Sequence, residues 1–318
     1  MQPADPDASR TIELHYFSNE RIPGSSACAL QQVQMCAAFA QAGAAVRLIR
    51  PYYFGLADVE SVYRFYGVNA EFRITTLPTL LSLSRPLQPS SRRLPFIGGA
   101  SMQAMVGLYA MRTFTAAQAR PRVVYCRNVN AAAVITMLAR TVLRQAGLRI
   151  FYEVHSLDQQ PRRWFEYVLR HADGLICITS ALAGAVAAAA AVSAERILLA
   201  PDAAWPLSAR SPFSSAEARR TLGLADLQGP MVVYTGSFKT GKGVEILLQA
   251  AGLLPPDVHI FFVGGEADQV QAMRERSRGQ SGAVLHWIGF VPPQDARLYH
   301  RAADLCVLPN TAEGAWHA

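Results

Sequence analysis

Cysteine is scarce in this 318-residue chain and none of it is paired in sequence. Cys28, Cys36, Cys126, Cys177 and Cys306 lie far apart, no two at C-x-x-C spacing, and no histidine cluster joins them. That argues against a zinc site and a disulfide framework, and suits a reducing cytosol. Charge is also sparse, at 17% of residues against 51% apolar, which excludes a disordered chain and allows large cores. The formal net charge of +7 fits an anionic substrate, a membrane surface or nucleic acid. The basic residues are scattered, however, with short pairs at Arg92-Arg93, Arg162-Arg163 and Arg219-Arg220, and this argues against nucleic acid. The opening "MQPADPDASR" lacks the basic and apolar layout of a signal peptide. Long hydrophobic runs are missing too. The best candidate, Leu94 to Met111, carries Pro95, three glycines and Gln103, and barely reaches the ~18 residues a membrane span needs. It reads as a helix starting near Ser101. With Arg92 and Arg93 beside it, peripheral contact at the inner face of a membrane is an expectation.

What the chain does have is alternation. Strand-like runs at Ile12–Phe17, Ala45–Ile49, Phe72–Thr76, Val123–Cys126, Arg149–His155, Gly174–Thr179 and Arg196–Ala200 are separated by helical patterns such as Ser26–Gln41, Val129–Gln145, Gln160–His171 and Ser180–Ala191. This pattern implies an α/β fold with a parallel sheet covered on both faces. Pro201 to Ser215 holds three prolines and four serines without a period and reads as a linker. The alternation then restarts, with strand-like runs at Met231–Thr235, Val258–Val263, Ala283–Ile288 and Asp304–Leu308 and helical patterns at Val244–Ala251, Ala267–Arg276 and Pro293–Ala302 between them. The expected organisation is a Rossmann-like domain over 1–200, a linker over 201–215 and a second Rossmann-like domain over 216–318.

Ligands of parallel sheets bind beyond the carboxyl ends of strands, where turns enter helices. "MVVYTGSFKTGKGVEILLQAA", from Met231 to Ala251, has this layout, with Gly236, Gly241 and Lys242 between a strand-like and a helix-like run. A P-loop needs Ser or Thr directly after its lysine to hold Mg²⁺. Gly243 stands there instead, so Mg-ATP hydrolysis is disfavoured. A lysine at a helix start opposes the helix dipole by ~0.3–1 kcal/mol. Such a lysine suggests an anion held between the two. After the first strand, Gly24, Ser25 and Ser26 open the first long helix; Ser25 or Ser26 can cap it, and Gly24 permits close backbone approach. A diphosphate could touch that helix terminus and Lys242 together. In "FYEVHSLDQQP" the polar residues Glu153, His155 and Asp158 gather at a strand end. His155 can donate to a phosphate or sugar oxygen. Glu153 shares its face of the strand and so can orient or charge the histidine. Near the end of the chain, Glu313 in a glycine-containing loop can accept from sugar hydroxyls.

Taken together, the Gly24 loop, "YEVHSL", "ADGLICITSAL", "LLAPD", "YTGSFKTGKGVEILLQAA", "FFVGG" and "WIGFVPPQDARLYHRAADLCVLPN" resemble the retaining glycosyltransferases of family 4. The pieces run in family order over nearly the whole chain. The resemblance implies the GT-B fold of two Rossmann-like domains facing across a cleft. It implies that Gly24 lies near the donor diphosphate, His155 near the β-phosphate and transferred sugar, and Lys242 on the diphosphate. It also implies that no metal and no cofactor is needed beyond a UDP- or GDP-sugar donor, and that the sugar moves with retention to an unknown sugar, lipid or small-molecule acceptor. The first-domain loops Pro51–Tyr66 and Pro78–Gly99 are expected to shape the acceptor site. Two departures stand out. The family's arginine after the turn glycine is replaced by Ser237, with Lys239 as a substitute cation. The family has two glutamates separated by seven residues; if Glu313 is the first, the second falls just past Ala318, and the second domain is incomplete. Three other readings follow: a truncated, non-catalytic GT-B-like protein, a sugar-nucleotide 2-epimerase of related fold, and a P-loop NTPase, which Gly243 weakens.

Overall fold

The structure is a computed structural model describing residues 12–53, 56, 58–69, 71–80, 94–115, 120–144, 147–190, 192–204 and 213–311. The chain divides into two compact units, Met1–Ala203 and Ala204–Ala318.

The first unit is a seven-stranded sheet. Its strands are β1 (Ile12–Phe17), β2 (Ala44–Pro51), β3 (Arg73–Leu77), β4 (Arg122–Cys126), β5 (Leu148–Val154), β6 (Gly174–Cys177) and β7 (Ile197–Leu199). They pair in parallel throughout, in the order β3-β2-β1-β4-β5-β6-β7. The helices between them are α1 (Ala27–Gln41), α2 (Val59–Tyr66), α3 (Leu94–Phe114), α4 (Val129–Arg140), α5 (Arg162–His171) and α6 (Ser180–Ala190). Central strands such as β4, with Val124, Tyr125 and Cys126 all buried, read as continuous apolar runs because helices cover both faces. One face packs Val106, Ala110 and Phe114 of α3 and Ile135 of α4 against Ile150 and Tyr152 of β5. The other packs Val33, Cys36 and Ala37 of α1 against Leu14 and Tyr16 of β1.

Three expectations are corrected here. The segment Pro51–Tyr66, read as a loop shaping an acceptor site, contains helix α2. Asp58 caps it by accepting from the Ser61 amide at 2.7 Å, and Gly67 ends it in the left-handed region at φ 59°. Helix α3 begins at Leu94, seven residues before the expected Ser101, and no helix of the described residues is long and apolar enough to cross a membrane. Ser215, placed in the linker, opens a helix. Ser214 and Glu217 form a reciprocal capping box there, a local signal that the serine and proline content of the segment concealed.

The second unit is built from that helix, α7 (Ser215–Thr221), then β8 (Met231–Thr235), α8 (Val244–Ala251), β9 (His259–Val263), α9 (Ala267–Arg276), β10 (Val284–Gly289), α10 (Pro293–Ala302) and β11 (Leu305–Cys306). Its four parallel strands run in the order β10-β9-β8-β11. Tyr234, Phe238, Phe262 and Trp287 form an aromatic cluster on one face, Phe262 and Trp287 stacked with centroids 4.3 Å apart. Asp304 precedes β11 and holds the strand starts together, accepting from the Met231 amide at 2.7 Å and from Arg219 at 2.8 Å.

Candidate functional site

Both strand orders reverse direction once, and the crevice at such a reversal is where doubly wound sheets bind ligands. In the first unit the reversal lies between β1 and β4. The loop after β1 carries Gly24 and Ser25, and the turn after β4 carries Arg127. In the second unit the reversal lies between β8 and β11. The loop after β8 carries Ser237, Lys239 and Lys242, and the segment after β11 carries Pro309 and Thr311.

The second unit's turn is shaped by main chain. Gly243 caps α8 from the left-handed region at φ 74°, and a Cβ there would stand 1.8 Å from the Pro309 carbonyl oxygen. Gly264, at φ 128° after β9, lies so close that a Cβ would meet the Gly236 carbonyl at 2.0 Å. The Thr311 amide donates to the Gly241 carbonyl at 3.0 Å, which clamps the segment after β11 onto the turn. Lys242 is half-buried at the start of α8, its amide bonded to the Lys239 carbonyl at 3.1 Å. Its ammonium makes no hydrogen bond or ion pair among the described residues. Lys239 is exposed, and Ser237 uses its carbonyl to accept from the Tyr234 hydroxyl at 2.8 Å. A half-buried cation without a counter-charge among the described residues, beside glycines that let main chain approach, could receive an anion.

The first unit's site is shaped by side chains. Ser26 caps α1, accepting from the Ala29 amide at 3.2 Å and donating to Glu20 at 3.0 Å, while Ser25 is exposed. Gly24 is needed because a Cβ would stand 2.3 Å from the Arg21 carbonyl oxygen. Its amide donates to the Tyr66 hydroxyl at 2.9 Å, and that hydroxyl donates back to the Gly24 carbonyl at 3.1 Å. Burial pushes the Tyr66 phenol up to about 12. Helix α2 thus supports the loop.

The end of β5 holds a polar network. Glu153 is 3% exposed, and its carboxylate accepts from the Tyr125 hydroxyl and faces Nε2 of His155, both at short range. The Arg127 guanidinium lies 3.7 Å away. Burial opposes the charge of Glu153, yet the bonds from His155 and Tyr125 and the charge of Arg127 hold its carboxyl below the ordinary value. Burial and the adjacent Glu153 charge push the Tyr125 phenol far up. Arg127 also donates to Gln31 of α1, and Gln31 donates to Asp202 after β7. Glu153, His155 and Asp202 place ligand atoms within 4.8 Å of one another, a spacing that could hold a metal ion. Arg127 and Gln31 already supply positive charge and donors to these carboxylates, so the cluster's charge is compensated by protein groups.

The sequence-expected residues therefore form two groups: Gly24, Ser25 and His155 at the strand ends of the first unit, and Ser237, Lys239 and Lys242 at those of the second. Glu313 lies outside the described residues, as do most of the expected acceptor loop 78–99 and Arg92 and Arg93. Tyr125, Arg127, Gln31, Asp202 and Tyr66 were not foreseen. Arg127 alone left a local signal, as the charged residue directly after the apolar strand "RVVYC".

Residues 229–316 match the family described as Glycosyl transferases group 1. The D-inositol 3-phosphate glycosyltransferase of Xylanimonas cellulosilytica is 29% identical over 99 residues, 30% of this chain and only 24% of that relative's length. Among solved structures, Anabaena HepE in complex with UDP and glucose has a TM-score of 0.58 at 18% identity, covering 94% of this chain and 74% of that one. WaaG, a glycosyltransferase involved in lipopolysaccharide biosynthesis, has a TM-score of 0.59 at 15% identity, covering 93% and 75%. At these identities the likeness is one of fold. The chain has the α/β architecture of the GT-B glycosyltransferases, with parallel sheets in two units.

Proposed function

We propose that the protein is a glycosyltransferase that moves a sugar from a nucleoside diphosphate sugar to an acceptor. The observation that carries this reading is the ammonium of Lys242, uncompensated among the described residues, on the glycine turn between β8 and α8, within the span that matches the family. The donor is a UDP-sugar in the first instance, because HepE binds UDP and glucose on the same fold; a GDP-sugar is the alternative base. Cleavage of the sugar–phosphate bond leaves negative charge on the departing diphosphate. A fixed cation aimed there is worth more in the transition state than in the ground state. Gly243 in place of a Mg²⁺-binding hydroxyl supports a grip that works without a metal.

Gly24, Ser25 and the α1 terminus add main-chain and hydroxyl donors, and His155 adds a donor or acceptor for the sugar or the β-phosphate. Retention of configuration and a sugar, lipid or small-molecule acceptor complete the proposal. Five free cysteines, three of them buried, support a reducing, cytoplasmic setting.

Calorimetric titration of the 318-residue chain with UDP, GDP, their sugar conjugates and Mg-ATP tests this reading. Binding of one nucleotide sugar with EDTA present is the expected result. Mg-ATP binding alone, or no nucleotide binding by folded protein, overturns it.

A further inference from the structure

Residues 19–24, between β1 and α1, lie outside any strand or helix, so their main chain must find partners elsewhere. Ile22 is fully buried, and its carbonyl needs a donor from within the protein. Three side chains of the next connection, from the end of β2 to the end of α2, supply donors to this loop. The Tyr53 hydroxyl donates to the Asn19 carbonyl at 3.0 Å. Arg50, 2% exposed, donates through Nη1 to the Ile22 carbonyl and through Nε to the Thr76 hydroxyl of β3 at 3.1 Å. A planar guanidinium can reach sheet and loop at once, which suits arginine better than lysine here. The Tyr66 hydroxyl completes the series at Gly24, where it serves both amide and carbonyl. Helix α2 is itself anchored, by its Asp58 cap and by the Tyr63 hydroxyl on the Phe72 carbonyl.

We propose that Arg50, Tyr53 and Tyr66 are positioning residues, which hold the carbonyls of Asn19, Ile22 and Gly24 and so fix the loop that presents Ser25 and the first turn of α1 to the donor's diphosphate. This rests on the glycosyltransferase reading and deepens it. It narrows the donors of the loop, since the Gly24 amide is already engaged by Tyr66. What stays open is the exposed Ser25 and the amides of Ala27 and Cys28, which have no partner within the helix. It also gives the β2–α2 connection, expected to shape the acceptor site, a part in holding the donor.

The test compares two tyrosines of one helix in the full chain. Tyr66→Phe removes the hydroxyl on the loop, while Tyr63→Phe removes the hydroxyl on Phe72 and leaves the loop's partners in place. Hydrogen exchange followed by mass spectrometry, without nucleotide, should show faster exchange over residues 18–30 in Tyr66→Phe and wild-type exchange there in Tyr63→Phe. Calorimetric titration should show UDP affinity about fivefold lower in Tyr66→Phe and unchanged in Tyr63→Phe. Uridine, which lacks the phosphates, should bind both variants as it binds wild type, a pattern that a general loss of stability does not give. Tyr53→Phe should move both readouts in the same sense by less, and decides the matter where Tyr66→Phe fails to fold. Unchanged loop exchange, unchanged UDP affinity, or equal losses for UDP and uridine overturns the inference. A wild type that binds no UDP overturns the functional reading instead, and the exchange result alone then decides whether these side chains set the loop.

Discussion

The two units prepare their strand ends in opposite ways. The first uses side chains: Ser26 caps α1, Tyr66 supports the Gly24 loop, and Tyr125, Arg127 and His155 meet at Glu153, with Gln31 linking Arg127 to Asp202. The second uses main chain: Gly236, Gly241, Gly243 and Gly264 bend the loops after β8 and β9 into the left-handed region, and Lys242 is the one half-buried cation set among them. A side-chain network tolerates graded substitution, since removing one donor leaves the others. A turn packed backbone against backbone has no such margin, since a Cβ at Gly243 or Gly264 must displace a carbonyl.

The largest effect should therefore come from the smallest change. Gly264→Ala puts a methyl 2.0 Å from the Gly236 carbonyl at φ 128°, and should destabilise the second unit by about 2 to 4 kcal/mol. Thermal unfolding followed by calorimetry reads this directly, and a wild-type transition would erase the contrast between the units. Next, Lys242→Ala should weaken UDP binding by at least tenfold, ~1.4 kcal/mol, without altering stability; unchanged affinity removes the central claim about the turn. His155→Ala should slow sugar transfer about tenfold with the fold intact. A rate equal to wild type makes His155 a structural partner of Glu153 and nothing more.

The smallest effect concerns acid. His15 of β1 is fully buried against Tyr109 of α3, its Nδ1 2.9 Å from that hydroxyl, and Phe114 packs edge-on to the ring. Burial depresses its basicity, and the bond and charge of Glu13 only partly offset this. With the folded pKa below the unfolded one, the unfolded chain takes up the proton first. Stability contributed by His15 is then full above about pH 6.5 and is lost as pH falls from there toward the folded value, by at most ~1.4 kcal/mol per pH unit. Urea unfolding of wild type and His15→Gln at pH 7.5 and 5.5 should show a shallower pH dependence in the variant. His286 and His300 in the second unit are depressed by burial in the same sense, so a variant with an unchanged slope would assign the acid sensitivity to that unit.

Much of the fold was legible because strand and helix periods are local. Ile12–Phe17, Met231–Thr235, Val244–Ala251, Ala267–Arg276 and Pro293–Ala302 form as their patterns require. Helix α2 was not legible. Its exposed face and short apolar stripe, Val62 and Tyr66, look like loop until Gly24 and the sheet are in place. Helix α7 hid in a proline- and serine-rich stretch for a related reason, since it buries only Ala218. Within the site, Lys242 was visible because a cation before a helix violates a local rule. Tyr125 was invisible because an apolar strand accepts a tyrosine without comment.

By itself the sequence determined the α/β alternation, the two-part organisation, the glycine turn without a Mg²⁺-binding hydroxyl and the pairing of Glu153 with His155, because each depends on neighbours within a few residues. Only the tertiary structure decided the strand order, and with it which loops meet at each reversal. That order brings Arg127, Gln31 and Asp202, drawn from three different connections, around one buried carboxylate. No local pattern encodes such a meeting, because the attraction that offsets the desolvation of these charges exists only once the folded sheet brings them together.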